Sequence, residues 1–117
     1  MTIIYGIKNC DTMKKAFVWL KEAGIDYQFH DYKKEGLTTE LLEVFVQQLG
    51  WEALINKRGT TWRQLFEEVK NAIDEASAKR IMLDNQSIIK RPLLVHNNHY
   101  ELGFSGESYQ QLFAESL

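Results

Sequence analysis

The chain contains one cysteine, Cys10, and no other side chain is as well placed for covalent chemistry. It lies within Tyr5-Gly6-Ile7-Lys8-Asn9-Cys10-Asp11-Thr12-Met13-Lys14-Lys15. An apolar run, Ile3-Ile4-Tyr5, precedes it, and a helical pattern with Met13, Ala16, Phe17 and Leu20 on one side follows it. A thiol where a strand gives way to a helix sits near the positive end of the helix dipole and close to unpaired backbone N–H groups. That setting stabilises the thiolate, the nucleophilic form, and brings the pKa into a range of about 3.5–7.5 when cations are near. Lys8 is such a cation, and the amides of Asn9 and Thr12 can hold an anion. Asp11 opposes the thiolate if its carboxylate turns toward the sulfur. A lone cysteine is also a common buried core residue, so the flanking pattern, not the residue type, argues for reactivity.

The remaining candidates for chemistry are weaker. His96 and His99 flank a turn and are expected to face solvent, and His30, on a strand, is expected to be structural. None has metal-ligand spacing with Cys10. Trp19, Trp51 and Trp62 fall at helical positions that suit packing or surface.

Composition narrows the class. At 117 residues the chain is expected to form one domain, 1–117, able to bury a core without disulfides or metal. It is 44% hydrophobic and 26% charged, with a net charge of −2, so no basic excess points to nucleic acid or an anionic membrane. One cysteine cannot close an internal disulfide, which removes the secreted scaffold class. The apolar runs are too short to span a bilayer, and the first residues lack the pattern of a signal peptide. The compartment expected from these features is cytoplasmic.

The elements that must position Cys10 follow in order. Thr2 to Tyr5 reads as a central strand. Asp11 to Ala23 reads as a helix, with Gly24 ending it. Asp26 to Tyr32 reads as a second strand, and Lys33-Lys34-Glu35-Gly36 as a charged turn. A helix is expected from Thr39 to Leu49, with Gly50 as its stop and one more turn over Trp51 to Ile55. Asn56 to Thr60 reads as a polar loop. Thr61-x-x-Gln64 has the form of a capping box opening a helix from Trp62 to about Val69, and a further helix covers Glu75 to Asp84. Leu93-Leu94-Val95, a turn at His96-Asn97-Asn98-His99 and Tyr100-Glu101-Leu102 read as a β-hairpin. Ser105 can cap a last helix with Tyr109, Leu112, Phe113 and Leu117 on its apolar face. The expected fold is α/β: a thioredoxin-like βαβ–ββα mixed sheet with an all-helical insert at about 37–88. By analogy with that fold, Pro92, just before the third strand, is expected to be a cis-proline beside the cysteine.

The chain resembles the ArsC-like, glutaredoxin-linked arsenate reductase superfamily, and within it the YffB branch, related to the Spx regulators. The residues that carry this are the Tyr5–Ala16 segment, Phe29-His30-Asp31-Tyr32-Lys33, Asn56-Lys57-Arg58-Gly59-Thr60-Thr61-Trp62, Ile89-Lys90-Arg91-Pro92 and Leu102-Gly103-Phe104. The resemblance implies a cysteine nucleophile at Cys10 and oxyanion-binding arginines at Arg58 and Arg91. A planar guanidinium suits a bidentate oxyanion or a glutathione carboxylate. Lys8, Asn9, Asp11 and Thr12 complete the expected substrate site, with Pro92 structural and no metal. The chain departs from the arsenate reductases where they carry a further arginine after the hairpin, since Gly103-Phe104-Ser105 holds none. It departs from Spx regulators that place a second cysteine where Met13 stands.

The function expected is a glutathione-dependent thiol reductase with a single cysteine nucleophile and residual arsenate reductase activity. Glutathione is the expected co-substrate, with no bound cofactor, and a glutaredoxin is a second expected partner. Neither nucleic acid nor membrane is an expected direct partner. Two alternatives stand beside this: an Spx-like transcriptional regulator that binds RNA polymerase, and a non-catalytic glutathione-binding protein.

Overall fold

A computed structural model describes residues 1–114. Its Cα packing divides the chain into two compact units, Met1–Lys34 with Arg91–Leu117, and Glu35–Lys90.

The first unit is built on a four-stranded sheet in the order β2-β1-β3-β4. β1 (Thr2–Gly6) is almost wholly buried, as an apolar central strand must be. It pairs in parallel with β2 (Gln28–Asp31), so that Tyr5 faces His30 and Gly6 faces Asp31. On its other side it pairs antiparallel with β3 (Leu93–His96), and β3 in turn with β4 (His99–Leu102). The β1–β2 crossover is α1 (Asp11–Glu22). Gly24, at φ +70°, ends α1. Its N–H donates to the Lys21 carbonyl and that of Ile25 to the Leu20 carbonyl, the paired bonds of a Schellman motif. The last helix, α8 (Gly106–Phe113), is capped by Ser105, whose Oγ accepts from the Ser108 N–H at 3.0 Å. Leu117 lies outside the described residues. Ile4 and Leu94 from the sheet, Met13, Ala16 and Leu20 from α1, and Tyr109 and Phe113 from α8 form one fully buried cluster. This is the thioredoxin-like βαβ–ββα arrangement, and the Arg91–Pro92 peptide is cis.

The second unit holds α3 (Thr39–Leu49), α4 (Trp51–Leu54), α5 (Thr60–Arg63), α6 (Glu67–Asn71), α7 (Glu75–Asp84) and a 3₁₀ turn at Gln86–Ile88. Its buried side chains are Leu42, Phe45, Val46, Leu54, Ile55, Ala78, Met82, Ile88 and Ile89. Lys79 of α7 pairs with Glu43 of α3 and with Glu75. One isolated antiparallel bridge, Ile55 with Ile89, joins the two ends of the unit.

Several local expectations need correction. The second strand begins at Gln28, not Asp26, and the expected turn at Lys33 is a short helix, α2 (Tyr32–Glu35). The Asp31 carboxylate causes this by accepting from the Lys33 N–H at 2.9 Å, an N-cap that starts a helical turn at once. The helix expected over Trp62–Val69 is two shorter ones, α5 and α6, divided where Phe66 is extended (φ −63°, ψ 146°). No capping box forms at Thr61. The cap position is Gly59, and the Thr61 hydroxyl is instead hydrogen-bonded to Ser87 at 2.9 Å. The hairpin turn is tighter than expected, since His96 and His99 belong to the strands and Asn97-Asn98 alone turn the chain at φ 49° and 65°, as a type I′ turn requires. His96 is therefore only half-exposed. Its Nδ1 lies 2.8 Å from the Thr2 hydroxyl and its ring is 4.5 Å from that of Phe113.

Candidate functional site around Cys10

Cys10 is the N-cap residue of α1, with extended backbone (φ −136°, ψ 129°), and its carbonyl accepts the first helical bond from the Lys14 N–H at 3.0 Å. Position follows from sequence here. Ile3-Ile4-Tyr5 places β1 in the sheet centre, and Met13, Ala16 and Leu20 pin α1 to that sheet. Gly6 lets the two approach. A Cβ built on Gly6 would lie 2.5 Å from the Met13 sulfur, far inside van der Waals contact. The cysteine loop is thus held from both ends while the thiol itself stays half-buried.

The electrostatics favour the thiolate. Burial pushes the Cys10 pKa up, but the N–H of Met13, the Arg91 side chain and the N–H of Thr12 outweigh it, and the thiol lies below its ordinary value. These are the first-turn amides that a helix leaves without intrahelical partners, joined by one guanidinium. Arg91 reaches the site because β3 is the antiparallel neighbour of β1. Leu93 faces Tyr5, so the residues just before β3 lie beside the chain just after β1. The cis peptide joins Arg91 to a buried Pro92, whose carbonyl accepts from the Gly103 N–H at 2.8 Å.

Among the other expected site residues, Thr12 contributes its amide, as just described. Lys8, Asn9 and Asp11 flank Cys10 in sequence and are exposed. Arg58 belongs to the second unit. It is exposed, and its N–H donates to the Asn56 side-chain oxygen at 3.2 Å, an Asx-type turn that shapes the loop before α5. Among the described residues no three His, Cys, Asp or Glu side chains cluster as a metal site, and no helix is long and apolar enough to cross a membrane.

Tyr32, one of the residues that carry the resemblance, lies at the same end of the sheet. It follows β2 directly, is 1% exposed, stacks on Tyr5 with ring centroids 6.4 Å apart, and feels the charge of Arg91. Only the pairing of Gly6 with Asp31 brings the next residue to the Cys10 end of the sheet.

Comparison with known proteins places this geometry among relatives. The model of the ArsC family matches residues 5–112. A solved arsenate reductase (ArsC) related protein from Brucella melitensis is 51% identical, superposes with a TM-score of 0.81, and the match covers 96% of this chain and 93% of that one. The solved YFFB protein is 43% identical with a TM-score of 0.89, over 95% of this chain and 97% of that one. The global transcriptional regulator Spx of Lactiplantibacillus plantarum is 23% identical over 100% of this chain and 89% of its own length.

Proposed function

The chain belongs to the ArsC family, and from that premise we propose that it is a glutathione-dependent thiol reductase working through one cysteine. The observation that carries this reading is the Cys10 thiol at the start of α1, held below its ordinary pKa by the Met13 and Thr12 amides and Arg91. A thiolate so placed attacks the sulfur of a mixed disulfide between glutathione and another thiol. The Cys10–glutathione disulfide forms as the old S–S bond breaks, and the freed thiol leaves as thiolate. A second glutathione, as thiolate, then attacks that disulfide. Oxidised glutathione departs and the Cys10 thiolate is restored. The two electrons come from glutathione, which is consumed as co-substrate. Met13 stands where a second cysteine would be needed for an internal resolving step.

In this scheme Arg91 and the first-turn amides hold an anionic part of the substrate and stabilise the departing thiolate. A glutaredoxin is proposed as an alternative recycling partner. The site is composed of an anion holder and a nucleophile, so the same residues can offer arsenate a weak, residual reduction. The test is turnover of a glutathione mixed disulfide by the purified protein. Activity should require glutathione and vanish in Cys10→Ser. Undiminished activity in that variant, or none in the parent, would remove the proposal.

The similarity to Spx regulators across the whole chain favours a second reading, an interaction protein that binds RNA polymerase. Co-purification of polymerase subunits with a Cys10→Ser protein that has no reductase activity to lose would support it. A third reading, glutathione binding without catalysis, is distinguished by binding that survives in Cys10→Ser while the parent turns nothing over.

A further inference from the structure

The chain that leaves the hairpin returns to the Cys10 end of the sheet. The β3–β4 ladder pairs Leu93 with Leu102, and the Gly103 N–H donates to the Pro92 carbonyl at 2.8 Å, which extends the pairing by one step. Gly103 then turns the chain at φ +76°, and Phe104 follows. Cys10 and Phe104 both pack against the buried cluster that holds Ile4 and Leu94, so they lie on the same face of the sheet. β1, β3 and β4 are successive neighbours, spaced about 4.8 Å apart. Phe104 therefore stands beyond the Arg91–Pro92 step as seen from Cys10, about two strand spacings from the end of β1. Its position is held from both sides. Gly103 is bonded to Pro92, and Ser105 caps α8. The Phe104 ring meets the fully buried Tyr109 ring edge to face at 4.8 Å. Phe104 itself is only half-buried, so part of an aromatic surface stays open at a fixed place beside a nucleophile. Covering such a surface with an apolar group is favourable.

We propose that Phe104 is a specificity-determining residue of the Cys10 site, an apolar wall for the group carried by the leaving thiol. The substrate class is then a mixed disulfide of glutathione with an aromatic or other bulky apolar thiol. This rests on the reductase reading and narrows its substrate. Attack on a disulfide is in line, so the leaving sulfur stands two S–S lengths, about 4 Å, from the Cys10 sulfur. A benzyl-type group on that sulfur spans the remaining distance to Phe104. The Cys10–glutathione bond forms as the old S–S bond breaks, the electron pair departs on the apolar thiolate, and that thiolate takes a proton from water. Arg91 acts on the Cys10 sulfur as a cation, while Phe104 carries no charge. The anionic and apolar parts of the substrate thus have separate seats.

The test alkylates Cys10, the one cysteine of the chain, at fixed pH with iodoacetamide and with N-benzyliodoacetamide. Each rate is divided by the rate of the same reagent with free glutathione, which removes intrinsic reactivity. The parent should favour the benzyl reagent about tenfold, the effect of half-covering an aromatic ring. Phe104→Ala, and Phe104→Gln with its longer stem, should lose that preference while their iodoacetamide rates stay at the parent's value. Phe104→Leu, still apolar, should keep most of it. No preference in the parent would overturn the proposal. So would a preference that survives in Phe104→Ala and Phe104→Gln, or a loss in Phe104→Leu as large as in Phe104→Gln. An equal fall for both reagents would show a merely structural role and would overturn it too. Turnover of the benzyl and hydroxyethyl mixed disulfides of glutathione separates the two readings. A benzyl preference in alkylation without turnover of either disulfide would uphold the wall at Phe104 and remove only the reductase reading.

Discussion

At the scale of the residue, the proposed reductase activity comes down to one sulfur and what surrounds it. The Cys10 thiol is partly desolvated, which alone would make it a poorer nucleophile at neutral pH. Two amides and a guanidinium reverse the sign. Arg91→Met retains the apolar stem and removes the charge and the donor. Its Cys10 alkylation profile should move to higher pH, toward the ordinary thiol value of about 8.5, and turnover at pH 7 should fall on the order of tenfold. A profile that coincides with the parent's would show that Arg91 does not act on the thiol. The same group links pH to stability. Its folded-state pKa lies below its unfolded value, so between the two the unfolded chain binds more protons. The stabilisation is complete above the unfolded value and is lost as pH falls through the folded one. Arg91→Met should flatten that slope.

At the scale of the element, β1 and α1 are a matched pair, and Gly6 is where they meet. A methyl at Gly6 would overlap the end of the buried Met13 side chain. Met13 is fully buried, so its flexible end must rearrange within the core. Gly6→Ala should therefore lower unfolding stability by about 1–3 kcal/mol, read as a lower urea midpoint with unchanged slope. An unshifted midpoint would mean that Met13 has room to move. Local sequence was a good guide wherever one element depends on its own residues. Gly24 ends α1, Ser105 caps α8 and Gly50 follows α3, because each of these needs only a backbone conformation or a hydroxyl two or three residues away. It misled at Thr61. A threonine followed by glutamine at i+3 has the form of a cap, but Thr61 lies inside the helical turn and its hydroxyl is taken by Ser87, 26 residues on.

At the scale of the whole molecule, the two units differ in how they are held. The first is a paired sheet with a fully buried cluster against one face. Within the second, α5 and α6 contribute no buried residue, while α3 and α7 do. Short helices without buried contacts open locally. Native-state hydrogen exchange should show amides of residues 60–71 opening several kcal/mol more easily than those of Ile4 and Leu94, on the order of the gap between a local and a global unfolding event. Equal protection in the two regions would contradict this account.

The sequence by itself determined the strand–loop–helix around Cys10, the hairpin, the thioredoxin-like order of elements and the family. Each is written in hydrophobic period and in residue types set side by side along the chain. It also marked Arg91 and Pro92, through the resemblance and their place before a strand. Tertiary structure alone decided what that strand order brings together. The antiparallel pairing of β1 with β3 lays Arg91 beside a thiol 81 positions earlier in the chain. The parallel pairing of β1 with β2 carries Tyr32 to the same end of the sheet, and the ring contact with Phe113 half-buries His96. The physical reason is common to all three. Side-chain surroundings across a sheet depend on register, and register is set by pairing between strands far apart in sequence.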